Sequence, residues 1–339
     1  MRAAIDATGF AALMMAAILA GVPAFAYLPW TAEMAFNELL DYPPNAKSGS
    51  MAQAVSSLAG DRSAMVFNPA TLGFVESYEL QTTLAGRSSG SYFDRILYSL
   101  TGICPVTERT AFGAQLAYSA KSERYSGIPT GYSFVGRASC GFRLRPDLSL
   151  GASAEIAHDA IRLWSPWFGY AELTRGTGWG LDASVLYRTP LPTVNVDLSI
   201  LNLGPDVDYS RGEHCDRYET IRIGTSGRPV SAGKHQVVLS SDLAIARELR
   251  DFRDQEKMFR FGAEYNHKEF FYVRAGYWRQ ASYNHGFSGG GGLQVLDWVS
   301  VDVAVDVPDY EYDAATELYL TVTLTPQRSL TPHEEPNSR

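Results

Sequence analysis

The side chains of this chain that could do chemistry are mostly carboxylates and guanidiniums, and few of them sit at spacings that a reaction needs. Asp306, Asp309, Glu311, Asp313 and Glu317 gather oxygens of the kind that hold calcium. Their spacing matches no calcium loop, so the group reads as a solvated acidic rim. The six histidines (His158, His214, His235, His267, His285 and His333) show no paired metal-ligand spacing. No phosphate loop or dinucleotide fingerprint occurs, so neither an enzyme nor a cofactor is expected. A net charge of −8 with no basic run argues against a nucleic-acid partner. What remains is a scattered set of acids and arginines: Glu79, Glu155, Asp182, Arg222, Arg260, Glu264, Arg274 and Asp302. Their meaning depends on the elements that carry them.

Those elements are strands. Val299, Val301, Val303, Val305 and Val307 alternate with Ser300, Asp302, Ala304 and Asp306, which gives one greasy and one wet face. The pattern recurs from Glu76 onward and divides at turn residues into fourteen strands. They are 76–86, 92–104, 110–122, 132–143, 148–160, 176–189, 194–204, 217–227, 235–247, 257–267, 269–280, 286–296, 298–308 and 315–325. Most are longer than the five or six residues usual in a soluble sheet and suit a tilted membrane strand. Short links such as Thr107-Glu108, Pro146-Asp147 and His267-Lys268 alternate with longer ones around 123–131, 161–175, 205–216, 248–256, 281–285 and 309–314. That alternation and the even count predict an all-β, transmembrane antiparallel barrel of about 14 strands over 76–325. Charged residues make up only 19% and the chain has 30 Gly, 19 Tyr and 16 Phe, as suits a barrel without a separate apolar core.

The chain ends fit export. Arg2, an apolar run from about Phe10 to Val22, and Ala24-Phe25-Ala26 predict a signal peptide over 1–26, with the mature chain starting at Tyr27. No later window is apolar enough for a membrane helix. Residues 27–75 lack the alternation, and 326–339 form a polar tail. Cys104, Cys140 and Cys215 leave at least one free thiol, and the strand assignment puts a whole strand between Cys104 and Cys140. Two strand spacings, about 9–10 Å, are beyond a disulfide.

Several short motifs resemble one family. Asp61 to Gly73 contains Asn68-Pro69-Ala70-Thr71-Leu72, similar to the Asn-Pro-Ala-Gly-Leu box before the first strand of the FadL-like outer-membrane barrels. The likeness is greatest to the PorV/PorQ family. Leu201-Asn202-Leu203-Gly204-Pro205, Phe261 to Tyr265 with Val273 to Tyr277, Gly289 to Gly292, and Asp309-Tyr310-Glu311-Tyr312 extend it over most of the mature chain. Thr71 stands where the box has glycine, and the chain lacks a terminal aromatic residue. The resemblance implies an outer-membrane barrel whose lumen is plugged by the front segment, residues 27–75, working as an accessory that holds cargo in a type IX-like secretion system. Its alternative is a FadL-like carrier of hydrophobic small molecules such as long-chain fatty acids. Partners would be membrane lipid together with secretion proteins and exported cargo, or a hydrophobic small molecule.

Three groups are the candidate sites. Asn68, Pro69 and Ala70 would form a hatch. Glu79, Glu155, Asp182, Arg222, Arg260, Glu264, Arg274 and Asp302 point inward and would form a salt-bridge network around the plug, because unpaired charge in a narrow lumen is costly. Trp164, Trp167, Phe168 and Tyr170 would place aromatics on an outer loop, at the membrane interface or against a partner.

Overall fold

The computed structural model describes residues 40, 42–88, 93–123, 129–165, 169–191, 193–210, 212, 214–215, 217–248, 251–268, 270–280, 285–309 and 316–326. The expected signal peptide, the start of the front segment and the tail from 327 lie outside the described residues. So do Trp167 and Phe168.

Alternation turns into strands where expected. They are β1 (Glu79–Ser88), β2 (Phe93–Pro105), β3 (Thr110–Glu123), β4 (Pro129–Arg145), β5 (Leu148–Ser165), β6 (Gly169–Arg188) and β7 (Asn195–Leu203). Two short strands follow, β8 (Val207–Asp208) and β9 (His214–Cys215). The rest are β10 (Tyr218–Ala232), β11 (His235–Glu248), β12 (Asp251–His267), β13 (Phe271–Gln280), β14 (His285–Leu296), β15 (Val299–Asp309) and β16 (Thr316–Leu324). Fourteen of these close into a barrel in chain order, and β8 and β9 pair only with each other. Closure is antiparallel, from Leu80 opposite Leu324 to Ser88 opposite Thr316, which an even strand count permits. The chain enters β1 and leaves β16 at the same end, here the turn end; the opposite end is the loop end.

Side chains follow the two-residue period. Leu239, Phe261, Val273, Leu293, Val303 and Leu320 are exposed on the outer face, while Glu264, Arg274, Asp302 and Thr321 are buried inside. An apolar exterior around a polar interior is stable in lipid. Aromatic and histidine rings mark both rims. At the turn end His235 and His267 lie 4.9 Å apart, with Tyr265 and Phe271 beside them. Near the loop end Tyr132 lies 6.4 Å from Tyr118 and 6.0 Å from His158.

Three expected loops differ. The 161–175 link is strand almost throughout, because β5 and β6 pair out to Ser165 opposite Gly169. Residues 251–256 belong to β12, and 228–232 to β10. β5 and β6, 18 and 20 residues long, exceed the 9–11 that cross a bilayer and project beyond it. The aromatic outer loop is therefore a strand hairpin, with Trp164 opposite Tyr170. Cys104 and Cys140 stand on either side of Phe112 of β3, and no disulfide joins any of the three cysteines among the described residues.

Residues 42–75 fold inside the barrel. They form one short helix, α1 (Ala46–Ser50), and 3-10 turns at Arg62–Ala64 and Pro69–Phe74. Asn45, Asp61 and Asn68 cap the three, each accepting a backbone N–H at 2.9 Å. The core therefore lies between this segment and the inward face of the wall.

Candidate functional site

The plug is held to the wall by backbone contact. Ser288 of β14 donates to the Ser50 carbonyl at 3.0 Å and accepts from the Ala52 amide at 3.0 Å. Ser226 of β10 donates to the Ser57 carbonyl at 2.9 Å. Ser184 of β6 accepts from the Ala70 amide at 2.9 Å. Two wall glycines make this approach possible. A Cβ on Gly151 would lie 2.1 Å from the Ala70 nitrogen, and one on Gly276 2.5 Å from the Ala52 nitrogen.

The three residues expected to form a hatch sit within this seat. Asn68 donates to the Ser56 carbonyl at 2.8 Å while its own side-chain oxygen caps the turn. Pro69 starts the 3-10 turn and Ala70 touches Gly151. Thr71, the departure from the family box, donates to the Asn68 carbonyl at 2.8 Å.

All eight expected network residues are buried, and they divide among separate clusters. In the first, Arg274 binds Glu264 at 2.6 Å and Asp302 at 2.5 Å. Lys47 of the plug joins it, 3.1 Å from Glu264 and 2.7 Å from Asp61. In the second, Arg222 pairs with Asp242 at 2.5 Å and stacks on Phe67, 4.3 Å from the ring centre, and it donates to the Gln53 carbonyl. Arg260 stands opposite Asp242 in register. A third joins Arg137, Glu155 and Asp182: Arg137 donates to Glu155 at 3.0 Å and lies 3.6 Å from Asp182. Glu79 is held apart from these, paired with Arg62 of the plug at 2.8 Å. Each cluster thus ties a wall strand to the plug, the third through Arg137 and the Val66 carbonyl at 3.5 Å.

Toward the loop end the lumen changes character. Ala85, Leu97, Ala117, Val135 and Ala157 on β1–β5 form a buried apolar cluster with Leu40 and Tyr42 of the front segment and with Val207, Tyr209 and Cys215 of the β8–β9 flap. The Tyr209 ring joins this cluster while its hydroxyl donates to Asp159 at 2.8 Å. The acidic rim is not all solvated. Asp306 accepts from the Trp278 ring nitrogen at 3.3 Å, and buried Glu317 accepts from the Tyr319 hydroxyl at 2.6 Å.

One seam interrupts the wall. β6 pairs with β7 only as far as Leu181 opposite Leu203, with a register shift before Ala183. Beyond it, β6 continues to Gly169 with one bridge, Gly176 to Tyr209, on that side. Asn202, at φ 62°, donates its amide to Asp182 at 2.8 Å where pairing fails. Arg217 closes the seam: its guanidinium donates to the Trp179 carbonyl at 2.8 Å and reaches Glu155 at 3.5 Å, against Gly180 and Gly204. The flap covers the rest, with the Ser210 amide on the Arg175 carbonyl at 2.9 Å.

Arg217, Lys47 and Asp61 were not among the expected site residues. Lys47 and Asp61 sit in a segment without periodicity, and Arg217 serves a backbone carbonyl that becomes free only because a ladder stops. The run Gly286-Phe287-Ser288-Gly289-Gly290 has the letters of a hydrolase nucleophile turn, but Ser288 lies inside β14 and is bound to the plug.

No protein-family model matches the chain, and no curated protein matches it. Solved structures do. The CymD monoaromatic hydrocarbon channel matches with a TM-score of 0.61 at 13% identity, over 86% of this chain and 99% of its own. The toluene transporter TbuX of Ralstonia pickettii matches at 0.59 and 13%, over 82% and 98%. A FadL homologue of Pseudomonas aeruginosa matches at 0.58 and 11%, over 89% and 100%. The chain has the fold of these FadL-like barrels. At such identities the likeness concerns fold and not cargo.

Proposed function

We propose that the protein is an outer-membrane conduit for small hydrophobic molecules, with its turn end toward the periplasm. The observation that carries this reading is the apolar cluster in the loop-end half of the lumen. A general porin keeps its lumen polar, whereas here small side chains, Ala85, Ala117 and Ala157, line the wall beside Leu97 and Val135. An apolar guest would take the place of Leu40 or Tyr42 without exposing an unpaired charge. The tight plug closes the axial route to water, and the seam at Arg217 offers a way from this chamber sideways into the bilayer. Asn68, Pro69 and Ala70 act in this reading as a fixed anchor and not as a moving hatch.

The solved barrels of the same fold include a hydrocarbon channel and a toluene transporter, which favours this role over holding secretion cargo. No observation among the described residues favours the PorV/PorQ role. The test is uptake of labelled toluene and of a polar sugar by cells lacking their own such channels. Expression should raise toluene entry and leave sugar entry unchanged. Sugar entry without toluene entry would refute the reading.

A further inference from the structure

Two histidines of the turn-end rim are brought together by strand register, not by spacing along the chain. The Lys268 amide donates to the Lys234 carbonyl at 2.8 Å, so these two form a hydrogen-bonded pair at the end of the β11–β12 ladder. His235 and His267, one step along, stand opposite each other and form the next, non-hydrogen-bonded pair. Facing side chains come closest at such a position. Both histidines lie on the outward face, in step with exposed Leu239 and Phe261. Their ring centres are 4.9 Å apart and their planes are inclined by 61°, so the rings meet at an edge and do not stack. Nδ1 of His235 meets the Tyr265 hydroxyl at 2.7 Å. With Nδ1–H donating to that oxygen, the ring is oriented and Nε2 remains for a ligand. Tyr265 and Phe271 already supply the rings of an interface girdle here, so a second imidazole opposite the first is not needed for that. The other rim histidines stand against other side chains: His158 against Tyr132 and Thr177, His285 against Tyr277 and Phe287.

We infer that His235 and His267 together bind a divalent transition-metal ion, of the class of zinc or copper, at the turn-end rim. An ion bonded to two imidazole nitrogens at about 2.0–2.1 Å, with tetrahedral or square angles, sets the ring centres about 4.5–5.2 Å apart. The 4.9 Å between these rings falls inside that interval. A metal-bound imidazole is usually steadied by an oxygen on its other nitrogen, and Tyr265 supplies one to His235. Lys234 and Lys268 beside the pair are exposed and cationic, which disfavours calcium or magnesium, ions held by charged oxygens. Zinc and copper instead bind neutral imidazole through its lone pair. His235 is exposed and His267 half-buried, so water fills the remaining coordination positions. The bound ion ties β11 to β12 where the hairpin turns. The inference is independent of what the lumen carries.

Titration of the purified, untagged full chain with copper(II), in maltoside micelles at neutral pH, tests it, because copper binds nitrogen ligands most tightly of the first-row divalent ions. Wild type should take up a single equivalent saturably, and its electron paramagnetic resonance spectrum should show nitrogen splitting from a pair of imidazoles. H235Q and H267Q should each bind more than about tenfold weaker and lose the pair signature. Y265F keeps both rings but removes the orienting oxygen, and it should bind about tenfold weaker. H158Q and H285Q should match wild type. Heat-modifiable gel migration checks that each variant is folded. If H235Q or H267Q does not fold, the other decides, since loss of either ring breaks the chelate; if neither folds, the wild-type spectrum decides alone. Absence of the two-imidazole signal in wild type, or equal affinity in the folded histidine variants, overturns the site and leaves adventitious copper only.

Discussion

The two ends of the lumen hold contrasting chemistry: ion pairs such as Arg274 with Glu264 near the turns, and an apolar cluster on β1–β5 near the loops. Nearer the turns, glycine and serine bring the wall against the plug backbone, and buried Arg274 pairs with Glu264 and Asp302. Nearer the loops, β1–β5 turn alanine, leucine and valine inward, covered by one short flap. Charge networks have two-sided geometry and break sharply when one partner goes, whereas apolar surface is non-directional and tolerates exchange of one occupant for another. The first half is suited to staying shut and the second to accepting a guest.

Substitutions can break this contrast, and the largest effect should come from a half-removed ion pair. Arg274→Met leaves Glu264 and Asp302 buried with less compensation and should cost about 3–5 kcal/mol. Denaturant unfolding measures this, and a loss below about 1 kcal/mol would show the network to be incidental. Next is Gly151→Val, whose side chain must displace the Ala70 backbone. It should cost about 1–3 kcal/mol and raise ion conductance in planar bilayers as the plug lifts. Asn68→Ala removes a cap and the Ser56 contact and should cost about 1 kcal/mol, read as a lower unfolding midpoint.

Acid should act through Lys47 and Asp61. Burial pushes the Asp61 carboxyl up, but Lys47 and the Ser63 donors together hold it below the usual carboxylate range. Burial likewise disfavours the Lys47 ammonium, yet Asp61 and Glu264 lift it above the usual lysine range against Arg274. The Asp61 contribution is present above about pH 4 and lost as pH falls through its depressed value; that of Lys47 is present below about pH 10 and lost as pH rises through its raised one. Conductance should therefore stay low through the neutral range and rise under strong acid, earlier for Lys47→Met. The smallest effect on stability belongs to the other half: Ala117→Leu should leave the unfolding midpoint within about 1–3 kcal/mol while it reduces toluene uptake.

The sequence was most readable where lipid imposes a rule. Val299 to Val307 alternates because one face meets lipid and the other the lumen, and β15 lies over those residues. Residues 161–175 and 251–256 read as loops because strands beyond the bilayer have no greasy face to display. The inward position of Arg274 and Glu264 followed from parity, but their division into clusters did not, since register between strands and the path of the plug decide which charges meet. Arg217 was illegible for a different reason. Its partner is the Trp179 carbonyl, and only the early end of β7 leaves that oxygen without a ladder bond.

The central claim, that the loop-end half accepts apolar guests while the turn-end half stays shut, is tested most directly by diffraction from crystals soaked in bromobenzene. The account predicts an anomalous bromine peak among Leu97, Val135 and Tyr209, with the plug still bound to Ser288 and Ser184. Bromine found only on the lipid-facing exterior, or a plug displaced from its seat without a guest above it, would contradict it.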